Sequence, residues 1–379
     1  MMSKQRICLW CTSSPYSWEF VQEFNDEFDI TSIAIQYADS SFDYDYTIKI
    51  KNPIRLRLLS TLFNLLFVVP YLAYLVAKYD KKCDCHIIHY LSDIIALAMF
   101  LVNPKKPIVY FTYGSDYRYP KLKRIFRNIL VNKINLIMSG SPYVKEELIK
   151  YYEVNNSIVD TTLTFKVNKS FRKLNYHDRD RMRKNFGINN DEIVIFSPRA
   201  LKHFYNHHIL IEAIKLLNNN LKKKIKVILI RYGDEKYINI LSNICKKAKL
   251  NNNIIFINKI LTPSEMAKIY NISDITVSIP MNDGIGRCNV EAMLCGSIVL
   301  LSDRIKNYKI LFRDGRHCKY SKPTPDNIAK AIEYIVKNIN ILRDKKEIIR
   351  IARFINWRRN KQQIVNRIKG IVTNKEGSK

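Results

Sequence analysis

Two short apolar runs in the last third of the chain constrain its fold more than any other feature. Ile275–Ile279 and Ile298–Leu301 are brief, rich in β-branched residues and bounded by polar residues, which predicts two buried parallel strands. Between them a glycine-bearing loop, Asp283–Gly286, precedes a helical segment at Asn289–Leu294. A glycine loop that opens a helix directs backbone N–H groups and the positive helix end toward one point. The stretch therefore predicts an anion-binding site.

The same stretch carries two carboxylates eight residues apart, Asp283 in the loop and Glu291 in the helix. An anion site with an acid on either side suits a ligand that has phosphate between two hydroxyl-rich ends, as a nucleotide sugar does. The alternative is an ordinary strand–loop–helix connection with a solvated aspartate and a glutamate near the helix start.

The residues D-G-I-G-R-C-N-V-E-A-M-L-C-G, which begin at Asp283, resemble a motif of the retaining GT-B glycosyltransferases of family four (glycosyl transferases group 1). That motif is typically E-G-F-G-x-x-x-x-E-A-M-A-x-G. By this resemblance Asp283 contacts the donor sugar hydroxyls and Glu291 holds the ribose hydroxyls. The other donor-binding positions that it implies are Gly284, Ile285, Gly286 and Arg287. Because the first acid is aspartate rather than the commoner glutamate, its reach is one methylene shorter.

The resemblance implies an α/β protein of the GT-B fold, with two Rossmann-like doubly wound parallel-sheet domains facing a cleft. We place an acceptor-side domain at 1–165, a linker at 166–192 and a nucleotide-sugar-binding domain at 193–345. Residues 346–379 are expected to form a helix that crosses back to the first domain. The alternation of apolar strands and helical segments along both halves agrees with this architecture.

Three further candidates in the second half follow from the same resemblance. Arg199 comes directly after a predicted strand, Ile193–Ser197, where the family has an arginine on the donor diphosphate. The lysine that follows in the family has no counterpart in register, so Lys202 or His203 is the candidate substitute, and Lys202 is assigned to donor binding. Gly233 belongs to a Gly-Asp turn after the next strand and is assigned to donor binding.

In the first half, Tyr113, Gly114 and Asp116 follow another predicted strand. They resemble the family's His-Gly-Ser-Asp turn, with tyrosine in place of histidine. The resemblance assigns Tyr113 and Gly114 to the acceptor side and adds Asp116 to Asp283 and Arg199 as a catalytic residue. Asp116 could equally cap the next helix.

Composition narrows the possible partners. Lys+Arg 63 against Asp+Glu 34 gives a formal net charge of +29 over 379 residues. Such a charge suits phosphorylated substrates, an anionic membrane or nucleic acid. No zinc-finger spacing, RNA-binding signature or helix-turn-helix occurs in the sequence, so no nucleic acid partner is expected. The eight cysteines lack a paired zinc pattern and no signal peptide is evident, which predicts free thiols in a cytoplasmic protein.

Two segments suggest a membrane surface. Leu58–Ala77 has 20 residues without charge, close to the length of about 20 that spans a bilayer. Polar residues and Pro70 interrupt it, and a span would split one sheet, so a crossover helix docked at most among headgroups is favoured. A basic amphipathic helix at Pro120–Lys133 either lies on an anionic membrane or packs on its own sheet. We expect a protein peripheral to the inner membrane face.

The reaction that the resemblance implies is retaining transfer of a hexose from a nucleotide diphosphate sugar to an acceptor hydroxyl. No metal and no cofactor are expected, because Arg199 and the helix start would stabilise the departing diphosphate. A polyprenyl-diphosphate-linked or other glycan acceptor, in capsule or O-antigen synthesis, is the hypothesis for the acceptor. The alternatives are nucleotide-sugar epimerisation, sugar phosphorolysis, an inactive scaffold or a basic nucleic-acid-binding protein.

Overall fold

The structure is a computed structural model that describes residues 4–36, 42–50, 63–112 and 130–376. The chain divides into two compact units. The first consists of residues 1–165 and 357–379, and the second of residues 166–356. Each unit is built on one sheet of parallel strands with helices packed against it, which confirms the prediction of two Rossmann-like α/β domains.

The strands predicted at Ile193–Ser197, Ile275–Ile279 and Ile298–Leu301 are present, the last two with their ends shifted by one residue. The first sheet consists of β1 (Arg6–Thr12), β2 (Asp29–Gln36), β3 (Tyr46–Lys49), β4 (Cys85–His89), β5 (Ile108–Phe111), β6 (Leu136–Met138) and β7 (Val159–Asp160). The second sheet consists of β8 (Ile193–Ser197), β9 (Ile225–Ile230), β10 (Ile254–Ile257), β11 (Ile275–Ser278), β12 (Ile298–Ser302) and β13 (Cys318–Ser321).

The helices connect these strands, and most begin at a side-chain cap. Those before the second sheet are α1 (Pro15–Phe24), α2 (Val69–Asp80), α3 (Asp93–Val102), α4 (Pro142–Tyr152) and α5 (Tyr176–Asn185). The remaining helices are α6 (His207–Leu216), α7 (Asn219–Lys224), α8 (Glu235–Lys247), α9 (Pro263–Ile272), α10 (Arg287–Leu294), α11 (Pro325–Lys337), α12 (Ile339–Leu342), α13 (Lys345–Phe354) and α14 (Trp357–Glu376). At α9, Thr262 and Glu265 form a reciprocal capping box that fixes the start of the helix.

Both faces of the first sheet are covered. The helices α2, α3 and α4 pack on one face, where Trp10 is buried, and α1 and α14 pack on the other, where Leu9 is buried. The closing segment, expected to be one helix, consists of two, α13 and α14. Ile351 of α13 is buried in the second unit, whereas α14 belongs to the first. Trp357 fixes the start of α14 by donating from Nε1 to Glu23 Oε2 at 2.7 Å.

The second sheet has the spatial order β10-β9-β8-β11-β12-β13. The chain therefore runs outward from β8 through β9 to β10 and then returns to the other side of β8 at β11. This reversal is a topological switch point, where the loops after two adjacent strands diverge and leave a crevice at the carboxyl edge. In open α/β sheets ligands bind at that edge.

Residues 166–192, which were expected to be a linker, lie in the second unit. Their helix α5 is tied to the sheet through Asp274, the residue before β11. The Asp274 carboxylate accepts from Arg179 at 2.7 Å, Arg183 at 3.2 Å and Arg343 at 3.0 Å, and from the backbone N–H of Val194 at 3.0 Å. Arg183 is only 2% exposed, so this charged stretch contributes a buried residue to the second unit.

The apolar segment before α2 is helical where it is described. A π-helical turn, Asn64–Val68, continues into α2, whose Leu72, Leu75 and Val76 are buried against the sheet. Among the described residues no helix is long and apolar enough to cross a membrane. The helix predicted at Pro120–Lys133 lies outside the described residues except for its last four positions. All eight cysteines are free thiols, and seven are buried.

We predict that Asp274→Ala lowers the free energy of unfolding by about 3–5 kcal/mol, because three guanidinium groups lose their shared carboxylate and one of them is buried. Asp191→Ala is the matched control. Asp191 pairs with Lys224 at 3.5 Å, but both side chains are more than half exposed, so its loss should cost about 0.5 kcal/mol or less. Urea denaturation measures both variants; equal stability of the two would contradict the role given to Asp274.

Candidate active site

The predicted residues Arg199 and Asp283 meet at the switch point of the second sheet. Arg199 follows β8 and Asp283 follows β11, and their side chains form an ion pair between Nη2 and Oδ2. Both side chains are about one-fifth exposed, at 20% and 19%. The Arg199 guanidinium also lies 5.4 Å from the ring centre of Tyr205 in the same loop. The pair is therefore accessible at the edge of the sheet where a ligand is expected.

Two residues that sequence analysis missed hold the aspartate in place. Tyr308 donates its hydroxyl to Asp283 Oδ2 at 2.8 Å, and Asn307 donates from Nδ2 to the Asp283 carbonyl at 2.9 Å. Both follow β12, the neighbour of β11, and Tyr308 is fully buried. Burial raises the pKa of Tyr308 well above its usual range, so the phenol remains a donor. These contacts depend on the pairing of β11 with β12, which the local sequence pattern does not show.

The glycine loop is shaped as predicted, but some of its amides are already engaged. Gly286 has φ +75° and caps α10, while Gly284 donates its N–H to Asp283 Oδ1 at 2.9 Å. Asn289, an expected diphosphate contact, donates its N–H to the Gly286 carbonyl at 2.9 Å and is fully buried. Ile285 is 6% exposed. The backbone N–H of Asn289 is therefore already hydrogen-bonded and buried, so it is not available to an anion at the start of α10.

Glu291 lies one turn into α10 and is buried, with a side chain 11% exposed. It forms an ion pair with Arg287 Nε at 3.2 Å, and the Tyr270 hydroxyl lies 3.4 Å from its Oε2. Burial raises the pKa of Glu291 to about 7, and the charge of Arg287 opposes that shift. A buried carboxyl group with so few donors retains capacity to accept hydrogen bonds from a ligand.

Gly233 supports the loop that carries Arg199. Leu201 donates its N–H to the Tyr232 carbonyl at 2.7 Å and accepts at 3.0 Å from the N–H of Asp234. The chains approach so closely that a Cβ on Gly233 would lie 2.5 Å from the Leu201 carbonyl oxygen, and φ is +139°. Gly233 therefore allows the close backbone approach that holds the loop of Arg199. Its contact with the donor substrate stays a prediction.

His207 is buried and holds the same loop. Its Nε2 lies 3.0 Å from the Ala200 carbonyl, and its Nδ1 lies 3.0 Å from Ser197 Oγ. Burial lowers the pKa of His207 to about 4, so the ring is neutral at pH 7. The neutral ring donates from Nε2 to Ala200 and accepts from Ser197, which fixes the residue next to Arg199.

The remaining candidates are not brought together with this cluster. Lys202 is exposed in the loop three residues after Arg199, without an ion pair to any described residue. Tyr113, Gly114 and Asp116 lie outside the described residues. In the described ranges no group of three or more His, Cys, Asp or Glu side chains is arranged to hold a metal ion.

Comparison with known proteins identifies the fold and matches part of the chain to a family model. Residues 178–353, which include Arg199, Asp283 and Glu291, match the family model described as Glycosyl transferases group 1. No curated protein matches the sequence. Solved GT-B structures superpose on nearly the whole chain, and the predicted GT-B fold is confirmed. The match and the fold together support a glycosyltransferase.

Three of these structures show the range of similarity. Anabaena Alr3699/HepE in complex with UDP-glucose is 17% identical, with TM-score 0.77, and covers 97% of this chain and 100% of its own. Sucrose-phosphate synthase from Thermosynechococcus elongatus is 13% identical, with TM-score 0.77 and coverage of 98% and 100%. The lipopolysaccharide outer core galactosyltransferase WaaB, apo form, is 11% identical, with TM-score 0.64 and coverage of 94% and 99%.

We predict that Gly286→Ala destabilises the chain by about 1–3 kcal/mol, since it forces a side chain into a left-handed conformation. Its Cβ would lie 2.5 Å from Asn289 Nδ2 and 3.1 Å from the Tyr308 ring. Gly284→Ala is the matched control, because nothing lies within 4 Å of a Cβ there. Thermal and urea unfolding compare the two; similar losses would mean that the loop does not need the glycine at 286.

Glu291 should also make stability depend on pH. Its pKa is about 7 in the folded chain and 4.5 in the reference state, so the folded chain binds more protons between these values. The stabilisation is complete below pH 4.5 and is lost as pH rises through 7. Relative to Glu291→Gln, the native chain should therefore lose about 2–3 kcal/mol between pH 4.5 and pH 8. Urea denaturation across this window tests the sign; a difference independent of pH would contradict it.

Proposed function

We propose that this chain is a retaining glycosyltransferase that moves a hexose from a nucleotide diphosphate sugar to an acceptor hydroxyl. The observation that carries the proposal is the Arg199–Asp283–Tyr308 cluster at the switch point, beside the helix that carries Glu291. The group 1 match over 178–353 includes these residues, which supports the same conclusion.

We propose a UDP-hexose as the donor to test first, since the similar Anabaena protein was solved with UDP-glucose. Glu291 would accept hydrogen bonds from the ribose hydroxyls, and the start of α10 would face the diphosphate. Arg199 would turn from Asp283 to the diphosphate, which frees one acceptor position on Asp283 Oδ2 for a hydroxyl of the donor sugar, beside the hydrogen bond from Tyr308. Tyr308 keeps Asp283 in position through this exchange, because its hydrogen bond does not involve Arg199.

The chemical step demands stabilisation of the negative charge that grows on the departing diphosphate. A guanidinium and a helix start fixed before reaction do this without reorganising solvent. We propose that the leaving phosphate accepts the proton of the acceptor hydroxyl on the same face of the sugar, which retains the anomeric configuration. Lys202 and Asp116 stay candidates for contacts with the diphosphate and the reacting sugar, and Tyr113 and Gly114 for the acceptor.

The acceptor proposed is a lipid-linked glycan, such as a polyprenyl diphosphate carrier, used in surface polysaccharide synthesis at the inner face of the membrane. The charge of +29 supports an acidic acceptor or an anionic membrane. The similarity to a lipopolysaccharide galactosyltransferase makes a capsule or O-antigen pathway the first one to test.

Donor binding tests the ribose assignment. We predict that UDP stabilises the chain in a thermal-shift assay, by about 2.7 kcal/mol at 100 times its dissociation constant. Glu291→Ala should weaken UDP about 10- to 100-fold through two lost hydrogen bonds to a charged acceptor, but should hardly change binding of the 2′,3′-dideoxy analogue. Glu333→Ala, on α11, is the control. Equal weakening for both nucleotides would place Glu291 away from the ribose.

The same assay, run with UDP-, GDP-, ADP- and TDP-sugars, separates a protein that binds sugar nucleotides from a scaffold or a nucleic-acid-binding protein.

Asp283→Asn should reduce transfer about 100-fold or more while donor binding persists, and NMR of the product should show retention. Activity should persist in EDTA if Arg199 supplies the charge. Sugar phosphate released by added phosphate would indicate a phosphorylase, and isomerised donor an epimerase. Salt-dependent nucleic acid binding without any sugar nucleotide would contradict the proposal.

A further inference from the structure

One helix of the first unit exposes a continuous apolar stripe. Phe63, Leu66, Phe67, Tyr71 and Tyr74 recur at helical spacing from the residue before the π-helical turn into α2, and we call them the bare face. Their exposed fractions are 43%, 61%, 62%, 50% and 61%. The opposite side of the same helix is buried in the core, so the helix is apolar all round.

A helix that is apolar on every side is normally covered on every side. Single exposed apolar residues are common, but several large ones in one stripe mark a surface that binds something. None of the twenty residues between Leu58 and Ala77 is charged. The bare face therefore lacks the polar residues that keep an ordinary surface helix in water.

Charge indicates which partner covers it. From Tyr46 to Tyr79 the sequence contains five basic residues and no Asp or Glu, although Asp45 and Asp80 flank the stretch. The basic residues are Lys49, Lys51, Arg55, Arg57 and Lys78. A second copy of this chain carries the same net charge of +29, so two copies would repel each other. An anionic bilayer attracts basic residues by about 1 kcal/mol each and accepts apolar side chains below its headgroups.

We propose that the bare face inserts into the interfacial layer of a membrane rich in anionic lipid, with α2 lying in the plane of the surface. The aromatic rings suit this depth, because tyrosine places an apolar ring below the headgroups and a hydroxyl among them. The biological context rests on the lipid-linked acceptor proposed above, but the binding itself does not require any catalytic activity.

The test uses the full chain and vesicles of phosphatidylcholine with or without phosphatidylglycerol, in a flotation assay. Leu66→Ser combined with Phe67→Ser should weaken binding to the anionic vesicles about 100-fold, roughly tenfold for each buried side chain lost. Ile260→Ser combined with Ile341→Ser is the matched control. These residues are 81% and 79% exposed in the second unit, and their loss should leave binding unchanged.

Four results would overturn the inference. They are equal flotation of the native chain and the bare-face variant, equal binding to neutral vesicles, and a dimer in light scattering that the variant converts to a monomer. The fourth is a large loss of thermal stability in the variant, which would mean that the chain itself covers the face. UDP-sugar thermal shifts without vesicles should be the same in both proteins. Failure of flotation alone rejects the membrane surface, whereas failure of donor binding alone rejects the proposed enzyme.

Discussion

The ion pair between Arg199 and Asp283 is the interaction on which the candidate site depends. The two residues are 84 positions apart and meet only because the strand order reverses between β8 and β11. Without that reversal β8 and β11 would not be neighbours, and the residues that follow them would lie at separate places along the sheet edge. Because each charge partly neutralises the other, both can remain partly buried at the sheet edge, which a lone charge could do only at a large desolvation cost. A ligand that replaces one partner must therefore bring compensating charge, and a diphosphate with sugar hydroxyls does so.

Each member of this pair is held by separate contacts. The loop of Arg199 is fixed by Gly233 and Leu201 and by His207 with Ser197, whereas Asp283 is fixed by Tyr308 and Asn307. All of these residues belong to the second unit. The Arg199–Asp283 pair is thus held by one sheet and its own loops, so its geometry is fixed without a ligand.

Sequence reasoning succeeded where one element carries its own signal. The apolar runs around β11 and β12, the glycine loop and the two acids of the motif are local patterns, and the strand–helix alternation predicted the paired sheets. It failed where a contact joins distant elements. Tyr308 is 25 residues from Asp283, and nothing near it marks a ligand-site residue. Residues 166–192 were predicted to be a linker because the pairing of Arg183 with Asp274, which lies 91 residues away, is not visible in the local sequence. The helical periodicity of residues 345–376 likewise does not predict that α13 belongs to one unit and α14 to the other.

The two acids of the motif have opposite surroundings, and this difference separates their roles. Asp283 accepts from a guanidinium, a phenol and a backbone amide, so most of its hydrogen-bonding capacity is used within the protein. Glu291 is more deeply buried, and among the described residues its partners are Arg287 and a hydroxyl at 3.4 Å, which do not offset the desolvation of its charge. The raised pKa of Glu291 reflects this uncompensated desolvation. Hydroxyl donors from a ligand would stabilise the carboxylate, and that stabilisation would contribute to the binding free energy. Asp283 is thus suited to hold a fixed geometry, and Glu291 to gain from a ligand that brings two hydroxyl groups.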